Sequence, residues 1–549
     1  MENQDVTGGH TQEAPSSDET VRAPSRSLTR RDAVKAGLAG GVALALAGST
    51  ADAWARGVIA TGPNRGGATG PKRGGTLRVG IVGAGASETL NPNKQSPEVD
   101  LFRAHLLYER LVDFAPDGSL FNQLAQEFSA SKDARKWKIK VRPGVVFHDG
   151  SPLTADDIVY SLRYIMNPKT ASAGQSSLSF LKPQQVRKLD KQTVLLALDT
   201  PLATIPTILS ARSLYMFKAG TKSFDVPNGT GPFKFKSWKA GERSLFVRHD
   251  GYRKHGGPYL DAVEIISIND QAARFNALAA GQIDANVSLD SKLIPRVKAN
   301  PKLRLMNIPS GVYNAFAMWT DTAPFNDVRV RQAFRYVIDR KQMIDIALGG
   351  QGKVGNDLAC WLDPDYAGAI PQRAHDPEKA RSLLKAAGKE NLTVDHYTSD
   401  SASGQLQSSI LFAEQAKQAG ITVNIHKRPS SDYWSSEYNT HPFWTSNWGY
   451  RPLDVQIAEG LNANAPYNET HWKRPDFDKL TTQARRTLDT KKRHELWVAA
   501  QQLLWDEGGY ILWGFLNNVD AVSAKVRGIT PSRVRPLGWY TLTDAYLVS

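Results

Sequence analysis

The sequence predicts an α/β protein with at least two lobes, and three observations support this class. The chain of 549 residues is long enough for two to four domains of about 100–200 residues each. Hydrophobic residues make up 41% of it, which suffices for an extended core. Strand patterns and hairpins fill the first part of the chain, whereas helices and strands alternate in the later part. The single cysteine, Cys360, excludes a disulfide scaffold and a cysteine-rich zinc module.

The first 55 residues predict an export signal, which does not belong to the fold. Arg30 and Arg31 precede a weakly apolar stretch from Ala36 to Ala47, and Ala53 and Ala55 frame a small-x-small cleavage site. Paired arginines before such a stretch are typical of twin-arginine signals; a general secretory signal and an ordinary helix are the alternatives. No cysteine follows directly, so we expect cleavage after Ala55, no lipid anchor, and a mature protein in the periplasm.

The mature chain is strongly basic. The full sequence carries a formal charge of +14, and residues 1–55 hold five basic and seven acidic residues, so the remainder carries +16. Such a surplus favours acidic ligands or an anionic membrane surface, with solubility as the alternative explanation. The basic residues are scattered, and the densest run, Lys491 to Arg493, is typical of a solvated helix face. We therefore expect no nucleic-acid partner, and no internal run approaches the roughly 20 apolar residues of a membrane span.

Strands and hairpins dominate the first part of the mature chain. Residues 56–75 are rich in Gly and Pro and predict a flexible linker. Thr154 and Asp157 form a capping box, which predicts that a helix follows. Alternating apolar residues predict strands, the third and fourth of them as a hairpin, at 76–82, 136–141, 233–238, 244–249 and 263–268.

Helices and a parallel strand pair dominate the later part. Capping residues and closing glycines predict helices from Gln271 to Gly281, after Asn326 or Asp327, and from Asp376 to Gly388. A strand at 392–397, a helix at 404–418 and a strand at 421–427 form a βαβ unit, which requires parallel pairing in one sheet. Helices between 477 and 506 precede a last apolar strand near 510–515.

No motif of enzyme chemistry is present at its usual spacing. The segment from Gly83 to Glu88 follows a strand as a dinucleotide-binding loop does, but Glu88 takes the third glycine position and would repel a pyrophosphate. His494 and Glu495 lack the second histidine of a zinc-protease motif, and the eleven histidines are spread singly. We therefore expect no catalytic residue, no cofactor and no direct metal site. A hydrolase whose two carboxylates lie far apart in the chain stays open as an alternative from another class.

Four segments of the chain follow a known pattern: Arg142–Ile158, Gly229–Glu242, Ala277–Asp284 and Pro324–Ala333. In this order they resemble the large periplasmic solute-binding proteins of the dipeptide, oligopeptide and nickel type, family 5, which are receptors of ABC importers. The resemblance spans roughly residues 75–545, almost the whole mature chain. These segments build the scaffold, so they say little about the ligand.

The resemblance implies a two-lobe fold of the periplasmic-binding-protein type II, with a hinge and an extra subdomain inserted in the first lobe. It divides the chain into the export signal 1–55, the linker 56–75, lobe I in three parts (76–112, 225–310 and 516–549), the inserted subdomain 113–224 and lobe II 311–515. Ligand would be enclosed when the two lobes close about the hinge.

The resemblance also implies which segments face the ligand. Relatives use the loop after the first strand, here Ser87, Glu88 and Thr89, and a tryptophan-containing loop in lobe II. The candidates from the second loop and its surroundings are Trp444, Asn447, Trp448, Gly449, Tyr450, Arg451 and Asp454, together with Tyr313, Asn314 and Trp361.

Arg451 stands where peptide-binding relatives have an aspartate that pairs with the amino terminus of the peptide. A guanidinium repels an ammonium group and prefers a carboxylate or a phosphate. Three interpretations stay open: Arg451 contacts an anionic group of the ligand, Asp454 replaces the missing aspartate after a shift of the loop, or Arg451 pairs with a neighbouring acid.

We therefore expect a monomeric periplasmic receptor that captures a small peptide or peptide-like solute and delivers it to an inner-membrane ABC permease. An acidic or opine-like solute is the variant that Arg451 favours. An oligosaccharide stacked on Trp444 or Trp448 and a metal chelate are alternatives on the same scaffold, and a secreted hydrolase is the alternative from another class.

Overall fold

The computed structural model describes residues 70–83, 85–95, 97–430 and 433–548, without the side chains of Ser435 and Trp539. The predicted export signal and most of the predicted linker lie outside these residues. Everything described belongs to one compact unit, Thr61–Ser549. Within it, no helix combines the length and the apolar composition that crossing a bilayer requires.

The described elements follow the order that the sequence predicts for an α/β protein. The strands are β1 Thr76–Ile81, β2 Glu109–Arg110, β3 Val112–Phe114, β4 Leu120–Asn122, β5 Ala125–Ala130, β6 Lys136–Val141, β7 Val186–Asp190, β8 Thr193–Ala197, β9 Tyr215–Met216, β10 Phe233–Lys239, β11 Arg243–Arg248, β12 Ala262–Ser267, β13 Ala285–Asn286, β14 Leu303–Met318, β15 Gly352–Val354, β16 Thr393–Thr398, β17 Thr422–Lys427, β18 Phe443–Trp448, β19 Tyr510–Ser523, β20 Val526–Arg527 and β21 Tyr546–Leu547. The α-helices are α1 Glu98–Leu107, α2 Ala155–Met166, α3 Ile205–Ile208, α4 Gln271–Ala279, α5 Ile294–Ala299, α6 Val328–Tyr336, α7 Arg340–Gln342, α8 Pro377–Ala386, α9 Gln405–Ala416, α10 Leu453–Gln456, α11 Pro475–Arg486, α12 Thr490–Glu507 and α13 Pro536–Trp539.

An eleven-stranded mixed sheet runs through the unit in the order β10-β11-β12-β1-β13-β19-β14-β18-β16-β17, with β15 paired to β19. Strand β1 pairs in parallel with β12 and β13, and β16 pairs in parallel with β17 and β18. The predicted βαβ unit is thereby confirmed, since α9 connects β16 to β17. The predicted hairpin is confirmed as the antiparallel pair β10 and β11.

Two long strands, β14 and β19, connect the halves of this sheet. They pair from Leu303 opposite Ser523 to Pro309 opposite Asn517, and again from Tyr313 opposite Phe515 to Ala317 opposite Tyr510. The register shifts between Pro309 and Tyr313. The predicted boundaries between lobe I and lobe II, 310/311 and 515/516, fall at this irregular stretch. It is therefore our candidate for the hinge.

The prediction of a last strand near 510–515 is too short, because β19 continues to Ser523. Polar residues hide the continuation in the sequence. Asp520 is buried and accepts hydrogen bonds from the backbone N–H groups of Ser288 and Leu537. Asn518 is likewise buried, and its side-chain amide donates to the carbonyl of Ser532. Satisfied polar groups can occupy a strand interior, but they interrupt the apolar alternation by which a strand is recognised.

A separate antiparallel sheet, β5-β6-β8-β7, lies within the predicted inserted subdomain and packs with α2 around its own core. The predicted capping box is present, because the Asp157 carboxylate accepts from the backbone N–H of Thr154 at 2.8 Å. Asp327 caps α6 and Asp376 caps α8, as the sequence predicts. These local signals fixed helix starts, since each depends on residues only two or three positions apart.

Candidate ligand-binding site

Four predicted site residues meet as direct neighbours in the sheet. Strand β18 pairs with β14 so that Trp448 lies opposite Tyr313 and Asn447 lies opposite Asn314. The side-chain amide of Asn447 donates to the Asn314 side-chain oxygen at 2.8 Å and to the Tyr313 carbonyl at 3.2 Å. Asn314 in turn donates to the carbonyl of Ser403 at 2.8 Å. This network fixes the strand that carries the tryptophan loop.

The two tryptophans that were candidates for stacking a sugar are covered in this conformation. Trp444 has no exposed surface and meets the ring of Tyr438 edge to face at a centroid distance of 5.2 Å. Trp448 is 5% exposed, and the guanidinium carbon of Arg451 lies 4.5 Å from its ring centroid. An arginine at that distance is a cation–π contact. Ligand contact by these two residues stays a prediction.

Arg451 is engaged on three sides. Its Nε lies 2.6 Å from Glu459 Oε2, its Nη1 donates to the Gly449 carbonyl at 3.2 Å, and its guanidinium covers Trp448. Glu459 belongs to a π-helical segment, Ile457–Leu461, of the kind that is frequent at functional sites. Pairing with a neighbouring acid, one of the three interpretations of Arg451, is thus present in the structure. Because the pair of Arg451 and Glu459 is partly exposed, a ligand could still reach Arg451, and a ligand contact by this residue stays a prediction.

Asp454, the predicted substitute for the missing aspartate, is also paired. It is 4% exposed, and its Oδ1 lies 2.6 Å from Nε of Arg485 on α11. A buried carboxylate held by a guanidinium is already neutralised, so an ammonium group would have to compete with Arg485 for it.

Tyr450 packs between segments of all three predicted parts of the chain. It forms a small buried cluster with Phe114 of the inserted subdomain and Val534 of the C-terminal part of lobe I. Its ring meets Phe114 edge to face at 5.5 Å. Main-chain bonds join the same parts, from Arg533 to the Pro116 carbonyl and from Ala203 to the Arg485 carbonyl. These contacts join the three predicted parts directly, an arrangement that we call closed.

Trp361 lies at the candidate hinge. Its indole nitrogen donates to the Ser310 carbonyl at 2.8 Å, within the irregular stretch of β14. Lys353 and Arg533 both lie over its ring, at 5.2 and 5.3 Å from the centroid. This position suits a residue that responds to lobe movement, and direct ligand contact stays a prediction.

Side chains of helix α1 contact the predicted ligand loop of lobe I. Glu88 and Arg103 form a fully buried ion pair at 2.8 Å, and the Thr89 backbone N–H donates to Asp100 at 3.0 Å. Burial raises the pKa of Asp100 to about 6, although Thr89 and Arg103 favour its charged form. Ser87 is exposed. Among the hydrogen bonds and ion pairs of the described chain, none connects this loop to the segment 444–454.

A cavity of about 470 Å³ lies between the predicted inserted subdomain and predicted lobe II. Its size falls in the usual range of small-molecule sites. None of the predicted site residues lines it, but the partners of two of them do, namely Glu459 and Arg485. The remaining lining residues are Ser176, Ser177, Ser179, Phe180, Ile208, Val455, Ala458, Asn462, Asn464, Ala465, Pro466 and Asp478.

Two arginines at this junction were not predicted from the sequence. Arg535 lies flat against the tryptophan loop: a Cβ placed on Gly449 would be 3.0 Å from its Nη2. Arg212, between α3 and β9, is close enough to Arg535 and Arg451 to feel their charges. Burial lowers the pKa of Arg212 to about 10, and these two guanidinium groups act in the same direction. The sequence hardly indicates that these arginines come together, because Arg212, Arg451 and Arg535 lie far apart in the chain.

The described residues contain no group of three or more His, Cys, Asp or Glu placed to hold a metal ion. The buried carboxylates near the tryptophan loop have other partners. Glu469, for example, is fully buried and accepts hydrogen bonds from Ser446 and from the hydroxyl of Tyr510 at 2.7 Å. Burial raises the pKa of Glu469, which these donors partly offset.

Comparison with known proteins identifies relatives along nearly the whole described chain. Residues 120–458 match the model of the family described as bacterial extracellular solute-binding proteins, family 5, middle. The chain is 25% identical over 495 residues to the glutathione-binding protein GsiB of Pectobacterium atrosepticum, which covers 85% of this chain and 94% of that protein.

Solved structures share the fold. The ABC transporter substrate binding protein CtaP of Listeria monocytogenes superposes with a TM-score of 0.77 at 23% identity, covering 87% of this chain and all of that one. The binding protein AgaA of A. tumefaciens, in complex with agropinic acid, gives 0.70 at 23% identity, covering 86% and 99%. These likenesses show the two-lobe fold of the periplasmic binding proteins.

Proposed function

Since the chain belongs to family 5 of the bacterial extracellular solute-binding proteins, we propose that it captures a small, acidic, peptide-like solute between its lobes. It is a substrate-binding receptor, and the proposal concerns which solute it takes and how. The solute is held unchanged and handed to an inner-membrane ABC permease. Export by the twin-arginine route and action as a monomer in the periplasm complete the proposal.

The observation that carries the proposal is the meeting of three parts of the chain around one junction. Tyr450, Phe114 and Val534 pack there. A cavity of about 470 Å³ is lined by residues of the predicted inserted subdomain and of predicted lobe II, among them Glu459, the partner of Arg451. Residues from separate segments can enclose a ligand only when the segments close on one another, which is the mechanism of a hinge-closing receptor. Enclosure also removes water, so a few polar groups suffice to orient the guest.

Charge supports an acidic solute. Arg451 replaces the aspartate that would attract a peptide's ammonium group, and Asp454 is already paired with Arg485. Relatives point the same way, since one binds glutathione, a tripeptide with two carboxylates, and another was solved with agropinic acid. A guanidinium recognises a carboxylate with two parallel hydrogen bonds, which fixes orientation as well as charge.

An oligosaccharide is the less favoured solute. Sugar recognition would use an open aromatic face, whereas Trp444 is buried and the face of Trp448 is covered by Arg451. A neutral sugar would also gain nothing from the arginines at the junction. A metal chelate finds no cluster of ligating side chains in the described chain.

Isothermal titration of the purified full-length chain tests the proposal. The panel contains glutathione, di- and tripeptides of neutral and acidic composition, and a maltodextrin as the sugar control. We expect saturable, stoichiometric binding of the acidic peptides, and mass spectrometry should recover them intact. Binding of the maltodextrin alone, or cleavage of any bound peptide, would contradict the proposal.

A further inference from the structure

In the part of the chain that the structure describes, two arginines at the predicted lobe junction, Arg212 and Arg535, form no ion pair. Among the ion pairs and side-chain hydrogen bonds of the described chain, none involves the guanidinium of Arg212 or of Arg535. Most other arginines near this junction are neutralised, as Arg451 is by Glu459 and Arg485 is by Asp454. An unpaired, partly desolvated charge is costly, and proteins usually keep such charges where a ligand completes them.

The geometry gathers these charges around the tryptophan loop. Arg535 Nη1 and Nη2 would lie 3.2 and 3.0 Å from a Cβ on Gly449, so its plane rests on the backbone of that residue. The carbonyl of the same glycine accepts from Arg451 Nη1 at 3.2 Å. Gly449 is thus contacted by two guanidinium groups. A side chain at this position would require Arg535 to shift.

The third charge comes from the inserted subdomain. The groups that act electrostatically on Arg212 are the cations Arg535 and Arg451 and the carboxylates Glu459 and Glu98. Both carboxylates have other partners, since Glu459 holds Arg451 and Glu98 accepts from the hydroxyl of Tyr540. The carboxylates that act on Arg212 are therefore already engaged, and the charges of Arg451 and Arg535 add to its own.

We propose that Arg212 and Arg535, together with Arg451, form an anion site that binds a carboxylate of the solute and makes closure of the lobes depend on it. Each arginine belongs to a different predicted part of the chain: Arg212 to the inserted subdomain, Arg451 to lobe II and Arg535 to the C-terminal part of lobe I. Closing the lobes brings like charges together, and a bound anion removes that repulsion. The inference rests on the proposed function and names the chemistry that the receptor selects.

The site predicts selectivity for net negative charge. A solute with free carboxylates offers the planar, bidentate partner that guanidinium groups prefer. Masking the carboxylates as esters keeps most of the shape but removes the negative charges and leaves the ammonium group. The ammonium group of a zwitterionic peptide would be repelled by the same arginines. A phosphate has similar charge, so the test includes it as a separate probe.

The test compares glutathione with glutathione diethyl ester by titration calorimetry on the full-length protein. We expect the wild type to bind glutathione at least 10-fold more tightly than the ester. Arg212→Gln and Arg535→Gln should each weaken glutathione at least 10-fold and should not weaken the ester. Arg187→Gln is the matched control, because Arg187 is exposed on β7 of the inserted subdomain and should change neither affinity.

Thermal shift with citrate and with inorganic phosphate separates failure of this inference from failure of the proposed function. If no peptide binds but citrate raises the melting temperature of the wild type and not of R212Q or R535Q, the anion site stands and the peptide-like solute is wrong. A larger shift with phosphate would assign the site to phosphate. Equal affinity for glutathione and its ester, or folded R212Q and R535Q proteins that bind glutathione like the wild type, overturns the anion site.

Discussion

At the residue scale, the pair of Arg451 and Glu459 decides how the tryptophan loop presents its charge. The two side chains are 25% and 20% exposed, so a solute can reach the guanidinium without breaking a fully buried pair. If Arg451 binds the solute, Arg451→Ala should weaken glutathione binding by about 1.5–3 kcal/mol through loss of a charge-assisted hydrogen bond. Titration calorimetry measures the change.

Glu459→Gln is the companion variant for this prediction. It removes the competing carboxylate and keeps the shape, so the affinity for glutathione should stay the same or increase. If Arg451 has only a structural role, the two variants should affect stability and not affinity. Both variants would then lower the melting temperature alike, and the dissociation constant of each would match that of the wild type.

At the element scale, Gly311 of strand β14 packs against Tyr450, which contacts Phe114 of the predicted inserted subdomain. A Cβ on Gly311 would lie 2.4 Å from Cδ2 of Tyr450, and the Gly311 N–H donates to the Arg533 carbonyl. Gly311→Ala should therefore displace Tyr450 from its contact with Phe114 and disfavour the closed arrangement. We expect a larger radius of gyration by small-angle X-ray scattering and at least 10-fold weaker solute binding. Gly368→Ala is the control, because its nearest neighbour would be 3.5 Å away.

At the scale of the whole molecule, the charge of the chain should guide an anionic solute to the site. The formal charge is +14 for the full sequence. Raising the ionic strength from 0.01 to 0.15 M shortens the Debye length from about 30 to about 8 Å, so long-range attraction is screened. The association rate of glutathione, followed by stopped-flow tryptophan fluorescence, should fall as salt rises. The diethyl ester lacks both carboxylates and keeps the ammonium group, so its association rate at the same salt concentrations should not fall. A parallel fall of both rates would refute electrostatic guidance.

The sequence by itself determined the fold class, the family and the starts of several helices. The capping residues Thr154, Asp327 and Asp376 act on backbone groups two or three positions away, so local spacing reveals them. The βαβ unit around α9 follows from chain length and chirality, which leave one arrangement. The importance of Arg451 was likewise visible, because it departs from a pattern at a fixed place in the loop.

Only the tertiary structure decided what surrounds that arginine. Arg212 and Arg535 lie hundreds of positions apart, and no periodicity in the sequence records that Arg535 lies against Gly449 or that Arg212 lies near enough to feel the charge of Arg535. The partners Glu459 for Arg451 and Arg485 for Asp454 were equally hidden, as was the continuation of β19 past Phe515. The physical reason is the same in each case: local sequence fixes backbone conformation, whereas charge pairing and enclosure depend on which distant segments the hinge and the sheet bring together.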